Sequence, residues 1–344
     1  MLPARIVTIG ASAGGVESLS ALVASLPADL DAAIFVVLHI PANFVSTLPE
    51  ILCKKGPLKA VHPADGDEIE RGRIYVAAPD HHLLIEANRV LVTRGPKENR
   101  NRPSVDALFR SAAYSHGSRV IGIVLSGALD DGTSGLWSIK RMNGITITQD
   151  PTEASFDSMP SSALSQVEID HCVSVHQMGA LLKHLTQQAL KEPTYDVAND
   201  RRKMGIEVSV AVDGDAFEKG IMDVGPLTPF TCPECQGVLV KLNEGRLNRF
   251  RCHTGHAYST SALLSGVMEK IDESYWAAMR SLEEAAMLLE QTGKDFAKEG
   301  ENKAAAVFLE HARVATEQSR LLRNTVLSSE RFSGDSLLNK AGQK

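Results

Sequence analysis

Two groups of residues in this 344-residue chain have types and spacings that can do chemistry. The first begins with Gly10-Ala11-Ser12-Ala13-Gly14-Gly15, directly after the apolar run at 5–9. A strand that runs into a glycine-rich turn can expose a serine hydroxyl at the apex, as in the G-x-S-x-G elbow. It can also offer bare backbone N–H groups to a phosphate, as in G-x-G-x-x-G. A dinucleotide site needs an acidic residue at the end of the second strand. Here that strand ends Leu38-His39-Ile40-Pro41, and Ser12 stands where the second glycine belongs. Both departures favour a nucleophile. A nucleophilic serine needs a general base, and the base needs an acceptor to fix its tautomer. His39 follows one buried run, and the acidic turn Asp130-Asp131-Gly132 follows another at 119–125. Taken singly these residues read as a helix cap, a loop histidine and an ordinary turn. Their coincidence just past three strands is what points to catalysis. The order Ser–His–Asp differs from the Ser–Asp–His order of α/β-hydrolases.

The second group is Cys232-Pro233-Glu234-Cys235, then sixteen residues, then Cys252-His253-Thr254-Gly255-His256. This is zinc-ribbon spacing. Three thiolates and one imidazole suit tetrahedral Zn²⁺, with Cys232, Cys235 and Cys252 as ligands. His256 is preferred to His253 as the fourth, because a three-residue gap leaves room for a tight turn. A module of about 30 residues with few large apolar side chains needs such a staple, so the zinc is expected to be structural. Redox use of Cys-x-x-Cys has less support, since no thioredoxin-like βαβ pattern surrounds it. Five cysteines with three in one cluster point to a reducing, cytoplasmic setting rather than a disulfide scaffold.

The elements that must hold these residues follow from periodicity. Near-continuous apolar runs at 34–38 and 119–125, with helical patterns at 15–26 and 104–115, predict a doubly wound α/β domain with a mostly parallel sheet. Runs at 73–77, 82–86 and 89–93 are too close for crossover helices and predict an antiparallel hairpin insert turning at Asn88-Arg89. Ser104 is a candidate N-cap with Asp106 in the first turn. Residues 191–229 read as a linker with one short strand near 206–211. Leu264, Met268, Ile271, Tyr275, Ala278, Leu282, Ala285 and Leu289 form one helical seam. Gly293 and Gly300 are expected to break it before a second helix at 302–327. The predicted division is 1–190 catalytic, 191–229 linker, 230–260 zinc-ribbon-like, 261–327 helical hairpin and 328–344 disordered tail. A net charge of −6 with scattered basic residues gives no nucleic-acid footprint, and no apolar stretch is long enough for membrane insertion. No signal peptide is expected.

The motifs Ile9–Gly15, His39-Ile40-Pro41, Asn99–Phe109, Ile123–Gly127 with Asp131-Gly132, and Ser158-Met159-Pro160 occur in order and with compatible spacing. Through them, residues 4 to about 186 resemble the catalytic domain of CheB, the bacterial protein-glutamate methylesterase of chemotaxis. The resemblance implies Ser12 as nucleophile, His39 as general base and acid, and Asp131, the aspartate before the glycine, as the group orienting His39. It implies backbone amides of Ala13 and Ala128 as oxyanion donors, Arg100 and Arg102 as guides for an acidic receptor helix, and Met159 in the substrate groove. The implied reaction is hydrolysis of a glutamate methyl ester on a methyl-accepting chemotaxis receptor, releasing methanol, with glutamine deamidation as the same acyl chemistry. No catalytic cofactor is implied.

Two departures from the family pattern stand out. The family usually has Gly-Met-Gly where this chain has Gly127-Ala128-Leu129, and it commonly carries an N-terminal receiver domain that is not expected here. The ribbon and hairpin are expected to replace the receiver as a docking or regulatory element for a partner. An alternative from a different class is a catalytically weak CheB-like scaffold in a chemosensory complex.

Overall fold

The computed structural model describes residues 3–190 and 198–328. In chain order the elements are β1 (Arg5–Ala11), α1 (Gly15–Ser25), β2 (Ala32–Leu38), α2 (Leu48–Lys55), β3 (Lys59–Val61), β4 (Arg73–Val76), β5 (His82–Glu86), β6 (Arg89–Thr93), α3 (Val105–His116), β7 (Val120–Val124) and α4 (Thr133–Arg141). There follow β8 (Ile145–Gln149), α5 (Ser158–Gln166), β9 (His171–Val173), α6 (Met178–Gln187), α7 (Ala198–Asp213), β10 (Leu227–Thr231), β11 (Val238–Glu244), β12 (Leu247–Cys252), β13 (Ala257–Ser259), α8 (Thr260–Lys298) and α9 (Asn302–Ser328).

Every residue of β1, β2 and β7 is buried, as apolar runs covered on both faces require. They belong to a seven-stranded sheet of order β3-β4-β2-β1-β7-β8-β9 whose pairings are parallel. One face packs on α1, α2 and α6 through Leu19, Leu22, Leu52 and Leu182. The other packs on α3, α4 and α5 through Leu108, Phe109, Leu136 and Ala163. The chain leaves β1 toward β2 on one side and returns to β7 on the other, so a topological switch point lies at β1.

The structure corrects several expectations. Residues 73–76 belong to the parallel sheet, between β3 and β2, and only β5 and β6 form the antiparallel hairpin. Its turn is Ala87-Asn88, since Glu86 pairs with Arg89. The strand expected near 206–211 is the second half of α7, which buries Met204, Glu207, Val210 and Ala211 at helical spacing. Ile206, Val208, Val210 and Val212 alternate with a strand's period, but burial follows the helical spacing.

The chain divides into two compact units, residues 1–263 and 264–344. The first includes a four-stranded antiparallel sheet of order β10-β11-β12-β13. In the second, α8 and α9 run antiparallel. Phe296 packs on Phe308 with ring centroids 5.3 Å apart, within the range aromatic pairs prefer, and Arg323 reaches Glu283 at 2.7 Å. Gly293 does not break α8, because its missing Cβ makes room for Leu309 of α9. The expected seam is also shifted: Met279 and Ala286 are buried where Ala278 and Ala285 were expected. The tail expected to be disordered lies, beyond Ser328, outside the described residues.

Candidate active site and metal cluster

Three adjacent strand ends place the site. β1 delivers Ser12, β2 delivers His39, and β7 leads into the 126–132 loop with Asp131. Ala11 pairs with Leu38, and the His39 N–H donates to the Ala11 carbonyl at 3.1 Å. Ser12 and His39 therefore stand side by side one step past the ladder, on strands about 4.8 Å apart. The Ser12 N–H donates to the Ser126 carbonyl at 3.0 Å and ties the elbow to the third strand end. His39 Nε2 lies 2.8 Å from Asp131 Oδ2, with His39 about one-tenth exposed and Asp131 buried. The structure thus places all three residues at the same end of the sheet, with His39 and Asp131 in direct contact.

Two glycines make this approach possible. A Cβ on Gly10 would fall 2.2 Å from Val105 Cγ1, so only glycine lets the start of α3 lie against β1. A Cβ on Gly127 would fall 2.9 Å from the Ser12 Cβ and 2.0 Å from the Met159 sulfur.

Asp131 is the most heavily bonded side chain of the site. Oδ2 accepts from His39 and from the Val105 N–H at 2.8 Å. Oδ1 accepts from Asn99 Nδ2 at 2.9 Å, and from Ser104 Oγ, Asp106 N–H and Gly132 N–H at 3.1 Å each. Two of these donors are the first amides of α3, where the helix dipole favours an anion. Asp106 in turn accepts the Gly132 and Gly135 amides at the start of α4, at 3.0 and 2.7 Å. Each carboxylate caps the other's helix. Ser104 is the N-cap residue of α3, as expected, but its hydroxyl bonds Asp131 rather than the helix.

The two aspartates titrate in opposite directions. Burial opposes ionisation of Asp131, but the hydrogen bonds from His39, Asn99 and Val105 outweigh it and hold its carboxyl below the usual range. Burial, and then the charge of Asp131, push Asp106 well above that range. The negative charge belongs on Asp131, beside His39. Below them, burial lowers His82, whose Nε2 donates to the Pro96 carbonyl at 3.0 Å while Nδ1 accepts the Ser104 N–H at 3.3 Å.

Leu129 adopts φ 64°, a left-handed conformation that costs a non-glycine residue about 1–2 kcal/mol. The chain therefore keeps a glycine-type backbone in the 127–131 loop without the glycine. Ala128 lies exposed at the rim, and Ala13 is half-buried ahead of Gly14, the N-cap of α1. The Ser126 hydroxyl, which the sequence did not single out, lies 2.8 Å from the Ala13 carbonyl and accepts the Phe156 N–H at 3.0 Å.

A cleft of about 340 Å³ opens beside His39, lined also by Pro41, Asp80, Lys97, Arg100 and Arg102. Arg102 is held in place: Nε and Nη2 donate to Asp80 Oδ1 at 2.9 and 2.7 Å, and Nη1 to the Gly95 carbonyl at 2.8 Å. It forms part of the cleft wall. Met159 corrects the sequence expectation outright. It is fully buried beneath Gly127, so it supports the turn and lines no open groove.

The cysteine cluster forms at the end of the antiparallel sheet. One ligand atom from each of Cys232, Cys235, Cys252 and His256 lies within 4.8 Å of the others, so the cluster can hold a metal ion. Cys235 Sγ to Cys252 Sγ is 3.6 Å, and His256 Nδ1 lies 3.7 Å from Cys232 Sγ and 3.6 Å from Cys252 Sγ. Tetrahedral zinc with Zn–S of about 2.3 Å and Zn–N of about 2.0 Å requires edges of roughly 3.5–3.8 Å. The donor set fits that ion. His253 lies instead against Gly237, where a Cβ would meet its ring at 2.4 Å.

Comparison with known proteins identifies the family. The sequence profile of the family described as CheB methylesterase matches residues 7–182. A relative from Leptospira interrogans is 34% identical over 187 residues, covering 54% of this chain and 97% of the relative. A Methanosarcina acetivorans protein named protein-glutamate methylesterase/protein-glutamine glutaminase 2 is 37% identical over 184 residues, covering 51% of this chain and 52% of its own length. The crystal structure of the Thermotoga maritima CheB methylesterase catalytic domain matches with a TM-score of 0.51 and 31% identity, over 53% of this chain and 98% of that domain. The chain belongs to the CheB methylesterase family. Against the Methanosarcina relative it spans about half of that protein's length. Among the described residues, no helix is long and apolar enough to cross a membrane.

Proposed function

We propose that the chain is a serine hydrolase that removes methyl groups from glutamate methyl esters on chemotaxis receptors. The His39–Asp131 contact of 2.8 Å beside the Ser12 elbow carries this reading. With Nε2–H donated to Asp131, His39 keeps Nδ1 as the acceptor for the Ser12 proton. Ser12 Oγ attacks the ester carbonyl, and the proton moves to His39. The tetrahedral oxyanion is met by the backbone amides of Ala13 and Ala128, donors of a kind each worth about 100- to 1000-fold in rate. Collapse expels methoxide, which takes the proton from His39 and leaves as methanol. Water then attacks the acyl–Ser12 ester and gives its proton to His39, and collapse releases free glutamate as His39 returns the proton to Ser12 Oγ. Deamidation of glutamine follows the same steps with ammonia leaving. Asp131 stabilises the imidazolium in both halves, and Lys97 and Arg100 in the cleft suit an acidic receptor helix.

Cys232, Cys235, Cys252 and His256 would hold a structural zinc, since four protein ligands fill a tetrahedral site and leave no open position for chemistry. The helical pair α8–α9 is the candidate docking element for a regulatory partner.

Methanol release from methylated receptor membranes tests the catalytic reading. Replacement Ser12→Ala is expected to lower it by at least about 1000-fold without loss of fold. Release that persists at the wild-type rate in that variant would refute Ser12 as nucleophile.

A further inference from the structure

Strand β13 begins one residue after His256 of the metal cluster. Ala257 accepts the Asn99 N–H at 2.7 Å and donates to the Lys97 carbonyl at 3.2 Å, so the 97–99 segment runs beside β13 as a parallel bridge. Two residues on, the Ser259 N–H donates to Asn99 Oδ1 at 2.8 Å, and its hydroxyl donates to Asp130 Oδ1 at 2.7 Å. Asn99 Nδ2 then reaches Asp131 Oδ1 at 2.9 Å and Asp106 Oδ2 at 2.8 Å. An unbroken series of bonds therefore runs from the metal cluster through Ala257 and Asn99 to Asp131, and from there to His39.

The loop that receives this support has reason to need it. Leu129 holds a left-handed backbone that leucine disfavours. Strained backbone of this kind persists only where its surroundings over-determine it. Ser259 grips the very next residue, Asp130. The sheet is itself seated firmly. Arg249 and Arg251 of β12 are buried against Glu98 and Glu207, and Glu244 of β11 accepts Ser134 Oγ of α4 at 2.6 Å.

We propose that the metal-bound sheet is a positioning device for the hydrolytic site. Strand β13 fixes Asn99 and Asp130, and through them the carboxylate that orients His39, so full turnover requires a filled Cys/His cluster. Asn99 and Ser259 are positioning residues, and they touch neither substrate nor reacting atoms. The inference rests on the Ser12–His39–Asp131 reading and on a metal ion at the cluster.

The test uses the full chain loaded with zinc. Asn99→Gly removes the amide while suiting the residue's φ of 49°, and Ser259→Ala removes only the hydroxyl bond to Asp130. Zinc content, kcat and KM for methanol release, and the NMR signal of the His39 Nε2 proton are measured for each variant and for chelator-stripped wild type. The expected result is unchanged zinc content in both variants. Asn99→Gly loses kcat by up to about a hundredfold with KM unchanged, and its His39 proton exchanges fast enough to broaden or vanish. Ser259→Ala shows a smaller loss in the same direction. Stripping zinc reproduces both effects, and readdition reverses them. Wild-type kcat with an unchanged proton signal in zinc-loaded Asn99→Gly overturns the proposal, as does a change confined to KM. If chelation unfolds the chain, the two zinc-loaded variants decide. If wild type releases no methanol, the hydrolase reading fails, and the proton signal still decides whether β13 holds the His39–Asp131 pair.

Discussion

Asp131 has six hydrogen-bond donors gathered on two oxygens, and this concentration of donors defines the site more sharply than the serine does. Replacement by asparagine keeps the shape but turns one acceptor into an NH₂ that faces other donors. Asp131→Asn is therefore expected to lower kcat by about 10³- to 10⁴-fold. It is also expected to cost about 1–3 kcal/mol of stability, read from urea unfolding. An intact rate would remove the carboxylate from the mechanism. Met159 invites a contrasting prediction. Because it is buried under Gly127, Met159→Ala should cost about 2–5 kcal/mol through the cavity it leaves and should not raise KM selectively. A large KM effect at unchanged stability would return Met159 to the substrate groove. Much of this site was legible in the sequence, because Ser12, His39 and Asp131 each follow a strand whose apolar run marks it as buried. Asn99 and Ser126 were not legible as partners, since hydrogen bonds between distant loops leave no periodic trace in a sequence.

Elements, more than residues, show where sequence reasoning failed. A buried cluster sets Arg110, Arg249 and Arg251 against Glu98, Glu207 and Glu244, all at most 6% exposed. Arg110 donates to Glu98 at 2.9 Å, Arg249 to Glu207 at 3.0 Å and to Glu244 at 2.7 Å, and Arg251 pairs with Glu98. Charged residues are read as solvent-facing unless something contradicts it. Helix α7 buries Glu207 on its inward face, where composition and weak periodicity predict a linker with a short strand. The 73–76 run pairs with β2 and β3 rather than with its neighbours in sequence, because parallel pairing joins strands far apart along the chain. Such a cluster specifies how elements meet, and breaking one member leaves its partner charged and buried. Arg251→Met is expected to cost about 3–5 kcal/mol. An unchanged urea midpoint would show that the cluster carries no such weight.

At the scale of the whole molecule, the buried carboxylates set how the fold responds to acid. Burial would raise Glu98 and Glu207, but the surrounding guanidiniums outweigh it and hold both below the ordinary range, as hydrogen bonds do for Asp131. Groups depressed in the folded state stabilise it above the unfolded value of about 4, and that contribution is lost as pH falls below it. Asp106 is raised and works the other way, losing its contribution as pH rises through its elevated value. Asp106 exerts its effect above about pH 4, so the urea midpoint should fall between pH 4 and 2, and a midpoint that stays level over that range would contradict the depressed carboxylates. Labelling the chain with a fluorophosphonate and mapping the adduct by mass spectrometry decides whether Ser12 is the nucleophile that His39 activates. A single adduct on Ser12 that is lost in His39→Gln is expected; labelling at another serine, or labelling of Ser12 that survives loss of His39 undiminished, would rule this out.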